Sequence, residues 1–328
     1  VPDGNGGYLL IWTGSMTFGE FAEQASAPPT PGTGYWRTYF KSDGLYYKDD
    51  AGVETGPLGA GGGDKYPCKA RLTLETGVAI SSTDQDAKAT VYLTKFIGNQ
   101  VAVYDGSSAW TTLTLGSDLS ITLSTLSASL PHDIFAYNNS GTLAIEGLAW
   151  TSATARATAL TLQDGILVKS GVTTRRYIGT IYLNSSKQCY DSKLHRWVFN
   201  YYNRADRLLY KDVDTVHTYA SVTYRYYNND STQLVDAVIG VAEDIIIFSI
   251  GGQWSAITTG TDTGYAAIGV DGTTTRLSPL ASASFNGRDV VPVFSASHGI
   301  GYHTFTILEA AVNSVDFANY TLSGVFKG

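Results

Sequence analysis

The sequence predicts an all-β protein: a small N-terminal β-hairpin and attachment region, then two β-sandwich domains of jelly-roll type, with at most one or two short helices. Three observations carry this. Charged residues are only 16% of the 328, while Tyr alone supplies 22 and Gly 35. That balance suits pleated strands and tight turns, because aromatic and β-branched side chains fit a half-buried pleat. Apolar residues recur in runs of strand length rather than in long 3.6-residue periods. Between those runs stand Asp-Gly and Asn-Gly pairs, which supply the positive φ that hairpin turns require.

Composition also removes whole classes of function. The net charge is −7 and the only dense basic spot is Arg175-Arg176. A nucleic-acid partner needs a basic stripe, so none is expected. Cys68 and Cys189 have no metal-ligand spacing and are read as two part-buried thiols. The apolar run Ile245-Ile246-Ile247-Phe248 is far short of a membrane span, and membrane insertion is not expected. Gly59 to Gly63 has no helix after it, so it reads as a flexible break rather than a phosphate loop. No cofactor is expected.

Residues 1–30 are read as a separate N-terminal segment that ends in a proline linker. Tyr8 to Trp12 is a short apolar run, Gly19 to Ala27 has weak helical character, and Pro28-Pro29-Thr30-Pro31 stiffens the exit. Residues 31–65 are read as a hairpin unit, with Trp36 to Phe40 and Leu45 to Asp49 as strands around the Asp43-Gly44 turn. A hairpin of this size buries little alone and asks for a partner. Residues 66–207 form a middle sandwich with strands at 69–74, 90–96, 100–104, 132–137, 143–150, 166–169 and 176–183. The one plausible helix is Asp118 to Leu130, capped by Asp118 and stopped by Pro131. The aromatic-rich stretch 194–207 fits a strand or a short packed turn. Residues 208–328 form a second sandwich with strands at 213–219, 221–227, 234–241, 245–250, 266–270, 290–294, 302–308 and 320–326.

Chemistry is sparse. There is no GxSxG elbow, and His132, His195 and His217 stand alone as packed or surface histidines. Glu146, Glu243, Asp244 and Glu309 are the acids near strands that a glycoside hydrolase would need in pairs. No catalytic residue is assigned. His298 and His303 flank Gly299-Ile300-Gly301. His303 is a weak metal candidate at a trimer axis, where one nitrogen per chain would serve; otherwise it faces solvent on a strand. The tyrosine surplus is the unusual feature. Tyr201, Tyr202, Tyr226, Tyr227 and Trp254 are candidates for glycan or partner binding, since a ring offers flat apolar area and a polar tip. Trp36, Tyr39, Tyr46 and Tyr47 are candidates for oligomer contacts.

Three stretches carry a resemblance. The first is Pro29-Thr30-Pro31-Gly32 followed by Trp36-Arg37-Thr38-Tyr39-Phe40-Lys41-Ser42-Asp43-Gly44-Leu45-Tyr46-Tyr47-Lys48-Asp49. The second joins Val103-Tyr104-Asp105-Gly106, Asp133-Ile134-Phe135-Ala136-Tyr137 and Leu162-Gln163-Asp164-Gly165. The third is Gly301-Tyr302-His303-Thr304-Phe305 with Tyr320-Thr321-Leu322-Ser323-Gly324-Val325-Phe326. Together they resemble fibre and head-decoration proteins of tailed-bacteriophage virions. The resemblance implies a homotrimer anchored on capsid or tail proteins, located on the virion and presenting β domains to a host-surface glycan. The alternatives are a phage surface glycan depolymerase or esterase, and a cellular carbohydrate-binding module.

Overall fold

A computed structural model describes residues 27–41, 44–58, 65–256, 262–276, 281–284 and 293–328. The expected strand at Tyr8 to Trp12, the weakly helical stretch that begins at Gly19, and the Gly59 to Gly63 break lie outside the described residues. Within them the protein is all-β: strands carry the fold, and two single-turn 3-10 segments, Leu123–Thr125 and Tyr227–Asn229, are the helical content. The chain divides into a unit of residues 1–65 and a unit of residues 66–328.

The first unit holds a three-stranded antiparallel sheet of Arg37–Lys41, Gly44–Lys48 and Glu54–Leu58, with Gly44–Lys48 in the middle. The hairpin read from sequence therefore gains a third strand. Asp49 sets up the return: its carboxylate accepts from the Val53 N–H at 2.7 Å, and Gly52 takes φ +82° in the turn. A positive φ of that size favours glycine. Tyr39 and Tyr46 face each other across the first pair, their rings stacked at 5.9 Å. Glu54 binds both the Lys41 ammonium and the Tyr39 hydroxyl, which ties the third strand to the first.

The second unit packs two apolar cores. One lies between the sheet built on Thr142–Ala149, Pro131–Asn139, Val172–Tyr182, Ile166–Lys169 and Leu160–Gln163 and two smaller sheets. Ile134, Ile181, Leu72, Leu93 and Val101 fill it. The other is a sandwich. Its first layer runs Ala281–Ser284, Thr263–Val270, Gly301–Val312, Leu234–Ile239, His195–Arg196, Cys189–Asp191 and Gln85–Lys88. Its second runs Asp206–Val213, Val315–Lys327, Ile245–Ala256 and Val293–Ser297. Phe248, Phe317 and Tyr320 from the second layer meet Phe305, Ile307 and Ile268 from the first. The first layer crosses residue 207, where the sequence reading drew a boundary. It does so through His195–Arg196, which pairs in parallel with Leu234–Ile239.

The expected helix at Asp118 to Leu130 is absent. Leu119–Thr122 is instead a strand paired with Thr90–Lys95, followed by the 3-10 turn at Leu123–Thr125. Ser and Thr fill the alternate positions there, and such side chains favour extended backbone over helix. Asp118 accepts hydrogen bonds from the Gly77 N–H and the Thr76 hydroxyl, so it caps a loop rather than a helix. Pro131 opens a strand. Cys68 and Cys189 are both buried thiols in the first core, and burial pushes the Cys189 thiol up in pKa.

Candidate functional site

Among the described residues, the densest group of potential ligands sits at one end of the second core. Thr263–Val270 pairs antiparallel with Gly301–Val312, with Val270 opposite Phe305. Continuing that register brings Asp271 to Thr304. Asp271 stands at φ +53° in the turn, which Asp tolerates better than most residues. Its backbone N–H donates to the Thr304 carbonyl at 3.0 Å. Its carboxylate is held twice: the Thr304 N–H donates to Oδ1 at 2.9 Å, and His303 Nδ1 donates to Oδ2 at 2.7 Å. His303 Nε2 faces the Ile300 carbonyl at 3.4 Å. His298, in the connection before Gly301–Val312, sets its ring edge-to-face on His303 at 4.3 Å. One donor atom from each of the three side chains lies within 4.8 Å of the others.

The electrostatics suit these roles. Burial acts to raise the Asp271 carboxyl, but the hydrogen bonds from His303 and the Thr304 N–H outweigh it and hold it below the usual range. Burial first, and then the neighbouring His303, hold the His298 imidazole below its ordinary pKa, which favours its neutral form. His303 is buried rather than facing solvent on its strand, which corrects that expectation. Asp271 belongs to an Asp-Gly pair, which in sequence marks only a turn. The signal that could have found it was the pairing of its strand with the histidine strand, since it lies far from His303 in sequence.

The aromatic candidates divide. Tyr227 is fully buried, its hydroxyl donating to the Thr215 carbonyl at 2.8 Å and its ring on Tyr320 at 4.8 Å. It is a core residue and not a binding surface. Tyr202 packs against the first core under the Arg176 guanidinium, 4.5 Å from its ring, and burial raises its phenol to about 12. It too is structural. Tyr201 is half-buried between Tyr177 and Tyr202, and Tyr226 is half-buried on a two-residue edge strand opposite Leu308. Trp254 sits in Ile245–Ala256 opposite Phe317, with its side chain outside the described residues. The structure does not bring the four tyrosines into one face. In the first unit, Tyr39 and Tyr46 are buried within the chain, stacked on each other. Trp36 is 65% exposed and rests on a half-buried Tyr47 at 4.9 Å.

The acids near strands are engaged. Glu146 holds Arg175 at 2.9 Å; Glu243 and Asp244 share Arg204. Glu309 is buried between His217 at 2.6 Å and Arg225 at 2.7 Å. The lone histidines likewise have partners. His195 binds the buried Asp236, which also accepts from Trp197 and Tyr302.

One surface was not foreseen. On the outer face of the Asp206–Val213, Val315–Lys327 and Ile245–Ala256 sheet, Val325 lies in register between Leu208 and Ile247. These three, Val325, Leu208 and Ile247, are 42%, 45% and 49% exposed, and Ile245 beside them is 58% exposed. They make an aliphatic row across three adjacent strands.

No protein-family model matches the chain, and no curated protein matches it. Among solved structures, two insecticidal proteins of Bacillus thuringiensis align over 79% of this chain. They are the delta-endotoxin Cry8Ea1, at 7% identity and TM-score 0.21, and the crystal protein Cry7Ca1, at 8% and 0.19. The chain spans about half the length of each, 52% and 51%. Likeness at this level carries no argument about function.

Proposed function

We propose that this chain is a non-enzymatic structural protein of a tailed-bacteriophage particle. In this reading it is a trimeric fibre or decoration protein, fixed to capsid or tail and presenting β domains to a host-surface glycan. The observation that carries the proposal is the aliphatic row Leu208, Val325, Ile247 and Ile245. A solvated face of an antiparallel sheet normally alternates to polar residues. A contiguous apolar row across neighbouring strands marks a protein contact. Further copies of the same chain are the occupants proposed, in keeping with the fibre resemblance. In the first unit Trp36 stands in solvent, a large ring of the kind that protein interfaces are enriched in. Three weak glycan sites on one trimer would act through avidity.

The depolymerase reading requires a pair of carboxylates free to act on a glycosidic bond. Glu146, Glu243, Asp244 and Glu309 are each bound to an arginine, which favours the structural reading. The test is antibody labelling of intact particles, together with competition by purified chain for adsorption to host cells. Labelled particles and slowed adsorption are expected. Particles that carry none of the chain would overturn the proposal, as would capsule cleavage by the purified protein.

A further inference from the structure

The geometry points to a binding site for one divalent transition-metal ion, zinc by its donor chemistry, formed by Asp271, His298 and His303. Two imidazoles and one carboxylate are a set that zinc takes in sites with three protein ligands and a fourth position open to water. Calcium and magnesium demand oxygen ligands and suit this set poorly.

Each part of the geometry fits. The three donor atoms already lie within 4.8 Å of one another. The ligand atoms of a tetrahedral zinc stand roughly 3.3 Å apart, given Zn–N and Zn–O bonds of about 2.0–2.1 Å. Small movements therefore close the set, and His298 lies in a connection between strands. The Nδ1–H of His303 donates to Asp271 Oδ2 at 2.7 Å. A cation takes the place of that proton at Nδ1, and the neutral ring takes the other tautomer, with its single N–H on Nε2, where the Ile300 carbonyl stands 3.4 Å away to accept a hydrogen bond from it. Metal-bound histidines almost always donate their other ring N–H in this way. The Asp271 carboxylate has its own outer partner in the Thr304 N–H at 2.9 Å, which fixes Oδ1 and leaves Oδ2 toward the histidines. His303 is buried and rigid on its strand, while Asp271 is half-exposed. The site is thus preorganised on one side and open to solvent on the other.

The test uses the full chain and zinc chloride, titrated in competition with a chromogenic chelator, and cobalt(II) as a spectroscopic probe. His303→Ala removes a buried ring and risks misfolding, so the variants are His298→Ala and Asp271→Asn, each checked for an unchanged melting transition. One zinc per chain is expected, at least tenfold weaker in either variant, with no competition from magnesium. Bound cobalt(II) should give a visible ligand-field absorption that His298→Ala abolishes. Zinc binding well below one ion per chain would overturn the site. So would binding that both variants leave unchanged, since the ion would then lie elsewhere.

Discussion

Arg175 and Arg176 are adjacent in sequence and opposite in environment, so the same substitution should have two different consequences. Arg176 is buried beneath the sheet. Its guanidinium donates to the carbonyls of Pro67 at 2.9 Å, Ala102 at 2.7 Å and Tyr66 at 3.0 Å, and lies 4.5 Å from the Tyr202 ring. It thereby ties Val172–Tyr182 to the segment that opens the second unit. Hydrogen bonds from a charged donor contribute about 1.5–3 kcal/mol each, and a buried carbonyl left without its donor costs about 1–3 kcal/mol. Relief of the cation's desolvation offsets part of this, so with three carbonyls losing their donor Arg176→Met should lose about 3–5 kcal/mol. In a unit of this size that is a fall in melting temperature of about 10 °C. Arg175 instead holds Glu146 at the surface and covers the Tyr137 ring at 4.0 Å. Arg175→Met should lose less than about 1 kcal/mol. Urea denaturation followed by tryptophan fluorescence measures both. A loss below about 1 kcal/mol in Arg176→Met, or equal losses in the two variants, would refute the reasoning.

His132 is buried, accepts at Nε2 from the Ser127 N–H and donates from Nδ1 to the Leu130 carbonyl; burial lowers its pKa to about 4. The unfolded chain takes up this proton first. The contribution is therefore whole above pH 6.5, the ordinary histidine value, and is lost as pH falls toward 4. It amounts to a difference on the order of 3 kcal/mol that His132→Gln should flatten, read as wild type minus variant across denaturation curves. A Cβ on Gly240 would stand 2.2 Å from the Tyr177 hydroxyl and 2.4 Å from the Phe199 ring. Both neighbours are buried, so Gly240→Ala should lose about 3 kcal/mol through overpacking; an unchanged urea midpoint would count against the packing described.

Much of the fold was legible because turn chemistry and alternation are local. Asp164-Gly165 takes φ +50° and +82°, the positive values expected of the Asp-Gly pairs between strands. Ala266 to Val270 and Tyr320 to Phe326 fall inside observed strands. What failed was governed by distant partners. Leu119–Thr122 is a strand because Thr90–Lys95 pairs with it, and nothing within the segment announces that partner. His195–Arg196 is too short to show a period, yet it carries the sheet past residue 207. Tyr202 and Tyr227 read as surface rings because tyrosine is amphipathic; burial under Arg176 and against Tyr320 is a tertiary fact. Two of the three members of the ligand cluster were visible as histidines five residues apart. Asp271 entered only with the register between two strands. The aliphatic row was hidden differently. Leu208, Ile247 and Val325 come from three separated segments, and each alone is an ordinary exposed strand residue.

The central claim is that the aliphatic row is an interface between copies of this chain. Light scattering on a size-exclusion column, applied to the full chain and to Ile247→Asp, tests it most directly. A mass three times the 35.1 kDa of one chain, falling to that of a single chain when a carboxylate is placed in the row, is the predicted result. A wild-type chain that elutes as a monomer, or an assembly that Ile247→Asp leaves intact, would contradict it.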